Sequence, residues 1–259
     1  MIDTTTTHPA RRYNYLLGGT DNFPADRESG DELARLNPAI KIAARENRAF
    51  LQRAVGFLAG QGIRQFVDIG TGLPTADNTH EVAQRIAPES RIVYVDNDPL
   101  VLVHDLALHL SEPEGRCSYI DADFRDPDRI LTSGGLTDTL DLSEPVAVSF
   151  NSVLMLLADA DDPWAKVEHL LSRMPGGSYV VITHPTADFD PTAMAAAVEV
   201  TTRKKMTFVP RSHDQVAQFF GDWEMVAPGL VPILSWRPDD GEPDKPSSVY
   251  YWAGVARKT

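Results

Sequence analysis

Between residues 64 and 184, short apolar runs alternate with helix-forming stretches, and this rhythm restricts the chain to one broad class of fold. Strands are predicted at Gln65–Ile69 and at 91–95, 117–121, 146–150 and 178–183. Helices are predicted between them at 78–87, 99–110, 126–132 and 161–174. The apolar runs are continuous, as suits parallel strands buried on both faces. Such alternation builds a doubly wound, mostly parallel α/β sheet with right-handed crossovers. After residue 184 the rhythm breaks. Helices are expected near 190–205 and 213–220, the second with Ser212 and Gln215 at capping-box spacing. Two strands, about 223–227 and 249–256, flank a Pro-rich loop and are expected to form an antiparallel pair at the sheet edge.

The N-terminal quarter reads differently. Residues 1–12 are expected to be a flexible leader. Residues 13–23, aromatic and Gly-rich, fit no regular period, and suit either a plug over the core or a lid over a ligand. Helices are predicted at 25–36 and 39–59, the second with Leu51, Ala54, Val55 and Leu58 on one face. Residues 1–63 are thus expected as a lid and helical extension, and 64–259 as the sheet domain, within one structural unit.

The first strand ends in Asp68-Ile69-Gly70-Thr71-Gly72. Glycines let a backbone turn tightly and approach a ligand. Asp68 would repel a pyrophosphate lying on this turn but would attract an ammonium or sulfonium. The next strand ends in Asp96, with Asn97 beside it, and a carboxylate there can accept from both ribose hydroxyls. The third leads into Asp123-Phe124, an acceptor for an adenine amino group and an apolar ring to pack on it. Asp also favours turns and caps, so each residue alone has a structural reading. The ordered triple is more specific, because ligands of open α/β sheets lie across the carboxyl ends of the strands. The expected ligand is S-adenosylmethionine. Tyr13, Tyr15, Asn151 and His184 are candidates to line an acceptor pocket, although a capping or solvent-facing His184 is the commoner use of such a residue.

A strand followed by Asp-x-Gly-x-Gly, then a strand with Asp, then a strand with Asp-Ala-Asp resembles the class I S-adenosylmethionine-dependent methyltransferases. More narrowly, the chain resembles a bacterial methyltransferase family long known as a domain of unknown function. The resemblance rests on Arg11-Arg12-Tyr13-Asn14-Tyr15-Leu16-Leu17-Gly18-Gly19-Thr20-Asp21-Asn22-Phe23 and on the run Asp68 to Thr75, with Arg45-Glu46-Asn47-Arg48 and Asn78-Thr79-His80-Glu81 in support. It implies a Rossmann-like, seven-stranded methyltransferase sheet with one antiparallel edge strand. It supplies no acceptor. Asn14 stands where Asp is expected, and Pro74 where many such enzymes have a third glycine. Pro74 implies a longer turn, with the next helix starting near Asn78 and Glu81, which have cap spacing.

Formal net charge is −13, from 24 basic and 37 acidic residues. That balance disfavours nucleic-acid binding, which draws on Lys and Arg. Arg203-Lys204-Lys205 is the one dense basic run. The expected acceptor is a small molecule. No run approaches the ~20 apolar residues that span a bilayer, and the Thr-rich start lacks an apolar signal core, so a cytoplasmic protein is expected. A single cysteine, Cys117, excludes a disulfide framework, and His104 and His109 are too far apart to share one helical face, so no metal is expected. Neither a Gly-x-Ser-x-Gly elbow nor a Gly-Lys-Ser/Thr loop is present. The competing readings are a non-catalytic S-adenosylmethionine-binding module and an NAD(P)-dependent oxidoreductase. The sequence leaves the oligomeric state open.

Overall fold

The structure is a computed structural model and describes residues 2–101, 114–239, 241 and 245–259. Its sheet comprises β1 (Gln65–Ile69), β2 (Arg91–Asp96), β3 (Arg116–Asp121), β4 (Ala147–Asn151), β5 (Tyr179–Pro185), β6 (Glu224–Met225), β7 (Val231–Pro232) and β8 (Tyr251–Arg257). The order is β3-β2-β1-β4-β5-β8-β6, with β7 also on β8. Strands β1 to β5 pair in parallel. Strand β8 runs against β5, and β6 and β7 run against β8. This is the expected mostly parallel α/β sheet with an antiparallel edge. The expected strand at 223–227 pairs with β8 over only two residues, Glu224–Met225.

Period-two alternation divides the core between the faces of the sheet. Phe66, Ile92, Tyr94, Ala147, Val181 and Val255 pack on one side, against the long helix α3 (Ile40–Gly60) through Phe50, Leu51, Ala54, Val55 and Leu58. Val67, Val93, Val95, Val148, Phe150 and Ile182 pack on the other, against helix Pro163–Ser172 and the pair Phe219 and Phe220. Strand β1 is buried throughout, whereas edge strand β3 is not. The order reverses at β1, between β2 and β4, so the crevice of the fold opens at the carboxyl ends of these strands.

The N-terminus departs from expectation. Residues Pro9–Leu16 form helix α1, followed by α2 (Pro24–Leu36). Part of the expected leader is therefore helical and docked, and so are residues 13–16 of the segment 13–23. The buried side chains of α1 are Arg11, Arg12, Asn14 and Leu16, mostly polar, so apolar periodicity could not reveal it. Asn14 Oδ1 accepts from Asn22 Nδ2 at 2.9 Å, which ties down the turn after α1. A Cβ at Gly19 would overlap the Asn14 side chain, so this close approach needs glycine.

The turn after β1 is long, as Pro74 implied, and α4 (Thr79–Ile86) starts late. Glu81 Oε2 accepts from the Asn78 N–H at 2.6 Å, the expected cap. The Ser212–Gln215 box also forms. A helix begins at Pro99, but residues 102–113, with His104 and His109, lie outside the described residues, and so does most of the helix expected at 99–110. Among the described residues no helix is long and apolar enough to cross a membrane, and no cluster of three or more His, Cys, Asp or Glu could hold a metal ion.

Candidate functional site

A cavity of about 330 Å³ lies over the carboxyl ends of β1 to β4. It gathers Asp68, Gly70, Thr71, Gly72, Asp96, Asn97, Asp123, Phe124, Tyr13 and Asn151 from segments far apart in sequence. The turn Gly70–Gly72 folds back over β2, with the Gly70 N–H donating to the Val95 carbonyl at 2.8 Å. Both glycines have positive φ, +68° and +70°. A Cβ at Gly70 would overlap Val153, whereas one at Gly72 meets nothing within 4 Å and would project into open space.

The three carboxylates sit in different surroundings. Asp68 is buried and accepts from Ser149 Oγ at 2.7 Å and Thr79 Oγ1 at 2.8 Å. Burial raises its pKa, opposed by these hydroxyls and by the charge of Arg48. Asp96 accepts from the backbone N–H of Gly72 at 2.8 Å and of Asp98 at 2.9 Å, one on each oxygen. Burial raises its pKa too. Each Asp96 oxygen keeps a further lone pair for a ligand. Asp123 is more open. Burial would raise it, but the N–H and guanidinium of Arg125 and the Asn97 amide hold it below its ordinary value. Phe124 forms wall rather than a free face, since it is buried and packs edge-on against Phe150 at 4.9 Å.

Two acceptor-pocket candidates fall elsewhere. Tyr15 points away from the cavity, and its hydroxyl donates to Asp31 Oδ1 at 2.7 Å. His184 is fully buried behind the sheet end, with Nδ1 2.9 Å from the Pro185 carbonyl and Nε2 3.1 Å from Arg211 Nη1. A carbonyl only accepts and a guanidinium only donates, so the ring is a neutral Nδ1–H tautomer with both nitrogens engaged.

Several lining residues escaped sequence reading. Asn47 donates to the Tyr13 hydroxyl at 2.9 Å and accepts from Thr183 Oγ1 at 2.6 Å, while Tyr13 donates to the Ala44 carbonyl. Arg48 lines the cavity beside Asp68, and its Nε is buried without a hydrogen-bond partner. Both amide atoms of Asn151 are buried and unpartnered as well. Buried polar groups in this state are met by a ligand or by ordered water. The run Arg45-Glu46-Asn47-Arg48 was the signal for the first two, but on an amphipathic helix it reads equally as a solvated stripe.

Helix α1 closes one side through His8, Pro9, Ala10 and Tyr13. Arg11 grips Asp98 with two bonds, 2.9 and 2.8 Å, and His8 Nδ1 lies 3.1 Å from the same carboxylate. Burial alone would raise the Asp98 pKa; the bonds from His8 and Arg11 outweigh it and hold the group well below its ordinary value. Arg11→Gln is expected to cost about 3 kcal/mol in denaturant unfolding, because it leaves a buried carboxylate without its cation. A depressed carboxylate stabilises above its unfolded pKa and loses that contribution as pH falls, so the gap should narrow below about pH 4. A loss near zero at neutral pH would mean that this pair does not dock α1.

A family model described as S-adenosyl methyltransferase matches residues 1–259. A DUF574 family protein from Streptomyces avermitilis is 43% identical, with full coverage of both chains (100% each) and a TM-score of 0.97. A candidate methyltransferase from Thermobifida fusca is 37% identical over 99% of this chain and 97% of its own, with a TM-score of 0.91. Human N-acetylserotonin methyltransferase, solved with S-adenosylmethionine, shares the fold at 14% identity, covering 98% of this chain and 63% of its own, with a TM-score of 0.50. No curated protein matches.

Proposed function

The chain belongs to the S-adenosyl methyltransferase family, and from that premise we propose that the cavity binds S-adenosylmethionine and aligns its methyl group with a small-molecule acceptor. The observation that carries this reading is the meeting of three carboxylates from successive strands, Asp68, Asp96 and Asp123, around one glycine turn. A dinucleotide would place its pyrophosphate against a helix N-terminus directly after that turn. Here α4 starts only at Thr79, and Glu81 caps it. That supports the reading over an NAD(P)-dependent oxidoreductase.

The donor set fits the cofactor. Asp68 suits its ammonium group, and the unpartnered Arg48 Nε suits its carboxylate. The open space at Gly72 admits close approach of backbone to ligand. Asp96 and Asn97 serve the ribose, and Asp123 with the Phe124 wall serves adenine. When bound, S-adenosylmethionine supplies an electrophilic methyl on a sulfonium that leaves as a neutral sulfide. The protein's part is then alignment. The Asn151 amide offers a donor and an acceptor to orient the acceptor molecule. Neither Tyr13 nor His184 offers a base at neutral pH: burial raises the first, and burial lowers the second to about 3. The acceptor must therefore be nucleophilic without help from these two.

Two members of the basic run support a small acceptor over a nucleic acid. Arg203 pairs with Glu32 at 2.6 Å and Lys204 with Glu28 at 2.9 Å, while Lys205 lines the cavity. Protein incubated with methyl-labelled cofactor should label a small-metabolite extract and leave total RNA unlabelled. Label in RNA, lost when Arg203, Lys204 and Lys205 are all changed to Ala, would reverse the acceptor class. Cofactor binding with label in neither pool would favour a non-catalytic binding module.

A further inference from the structure

A second pocket, about 60 Å³, adjoins the first. Pro9, Tyr13 and Met155 line both. Its walls are otherwise mostly apolar or aromatic, among them Leu33, Ile40, Phe208, Tyr250 and Tyr251, and its one cation is Arg12. Arg12 is only 6% exposed. Among the described residues its hydrogen bonds run through Nη1 alone, to Ser29 Oγ at 3.4 Å and Thr201 Oγ1 at 3.3 Å, both long and both to neutral hydroxyls. Among the described residues it forms no ion pair. Asp26 acts on it only from a distance, and both Asp26 oxygens are taken by backbone N–H groups, of His8 at 2.8 Å and Phe23 at 2.9 Å. Burial accordingly pulls the Arg12 guanidinium down to about 10.

A buried cation without a counterion is costly, and a folded chain retains one where a ligand supplies the charge. We propose that Arg12 in the second pocket receives the carboxylate of the methyl acceptor, which makes the acceptor a small apolar carboxylic acid. This rests on the proposed cofactor cavity beside it. The volume is several times the ~10–15 Å³ that admits one water, which gives room for a carboxylate beside Arg12. A single guanidinium matches a planar monoanion in charge and in fork geometry. The apolar body then passes Tyr13 and Met155 and presents its nucleophilic atom in the larger cavity. The cofactor's own carboxylate has Arg48.

Calorimetry tests this on the protein saturated with S-adenosylhomocysteine. The probes are acetate, butyrate and phenylacetate, each against its own amide, with inorganic phosphate as a further arm. At least one carboxylate should bind about ten-fold or more tightly than its amide. Arg12→Met should abolish that preference, Arg12→Lys should keep part of it, and both should bind S-adenosylhomocysteine within about two-fold of wild type. Equal binding of acids and amides, absence of binding by all of them, or tighter binding of phosphate would overturn the proposal, and the wild-type comparison decides even if neither variant folds. Loss of S-adenosylhomocysteine binding in an Arg12→Met protein whose melting curve shows it folded would also overturn it, since Arg12 would then serve the cofactor. Failure of the wild type to bind S-adenosylhomocysteine would instead sink the cofactor reading on which the proposal stands.

Discussion

Asp96→Ala is expected to weaken S-adenosylmethionine binding by about a hundred-fold or more, the loss of two charge-assisted hydrogen bonds of roughly 1.5–3 kcal/mol each. The carboxylate is fixed by the N–H groups of Gly72 and Asp98, so it needs no reorganisation to receive a ribose. Removing it also frees the glycine turn, so the melting temperature should fall by a few degrees. Affinity should fall far more than that shift explains. Because burial raises both Asp68 and Asp96, protons compete with the ligand at higher pH than for ordinary carboxylates. Affinity should therefore decline on acidification while the fold is still intact. Unchanged affinity in Asp96→Ala would show that the ribose does not lie there.

The largest stability effect is expected at Arg211, which is 1% exposed. It donates to the Leu154 carbonyl at 3.0 Å, His184 Nε2 at 3.1 Å, the Leu157 carbonyl at 3.0 Å and Asp159 Oδ1 at 2.8 Å. Its guanidinium lies over the rings of Trp164 and Phe219. It thus anchors the segment after β4 that supplies Met155, Leu156 and Leu157 to the cavity. Arg211→Met would leave buried acceptors unsatisfied, at a cost of about 3–5 kcal/mol, or roughly 10 °C in melting temperature. A change within about 1 kcal/mol would refute this role. His184 belongs to the same network and titrates near 3, because burial and the neighbouring Arg211 oppose its charge. Its folded pKa is depressed, so the unfolded chain binds the proton first. Stability should fall as pH drops below about 6.5, by up to ~1.4 kcal/mol per pH unit. His184→Gln should flatten that slope relative to wild type.

The parallel sheet was legible because its central strands are buried on both faces and read as apolar runs, while the edge strand β3, more exposed, was marked by its place in the alternation and by the acidic residues at its end. What stayed hidden depends on contacts distant in sequence. His184 follows a strand end, as a pocket residue would, but Arg211 folds over it from 27 positions away. Arg11 meets Asp98 across 87 positions, and nothing local marks that pairing. Helix α1 buries arginines and an asparagine, which a search for apolar periodicity passes over. The orphaned Asn151 amide and Arg48 Nε are visible only once the cavity closes around them.

The central claim is that the carboxylates at the ends of β1, β2 and β3 define an S-adenosylmethionine site. Calorimetric titration of the protein with S-adenosylmethionine, S-adenosylhomocysteine and NAD tests it most directly. Saturable 1:1 binding of the first two, with no heat from NAD, is the result predicted. Binding of NAD with none of either sulfur ligand would contradict the claim.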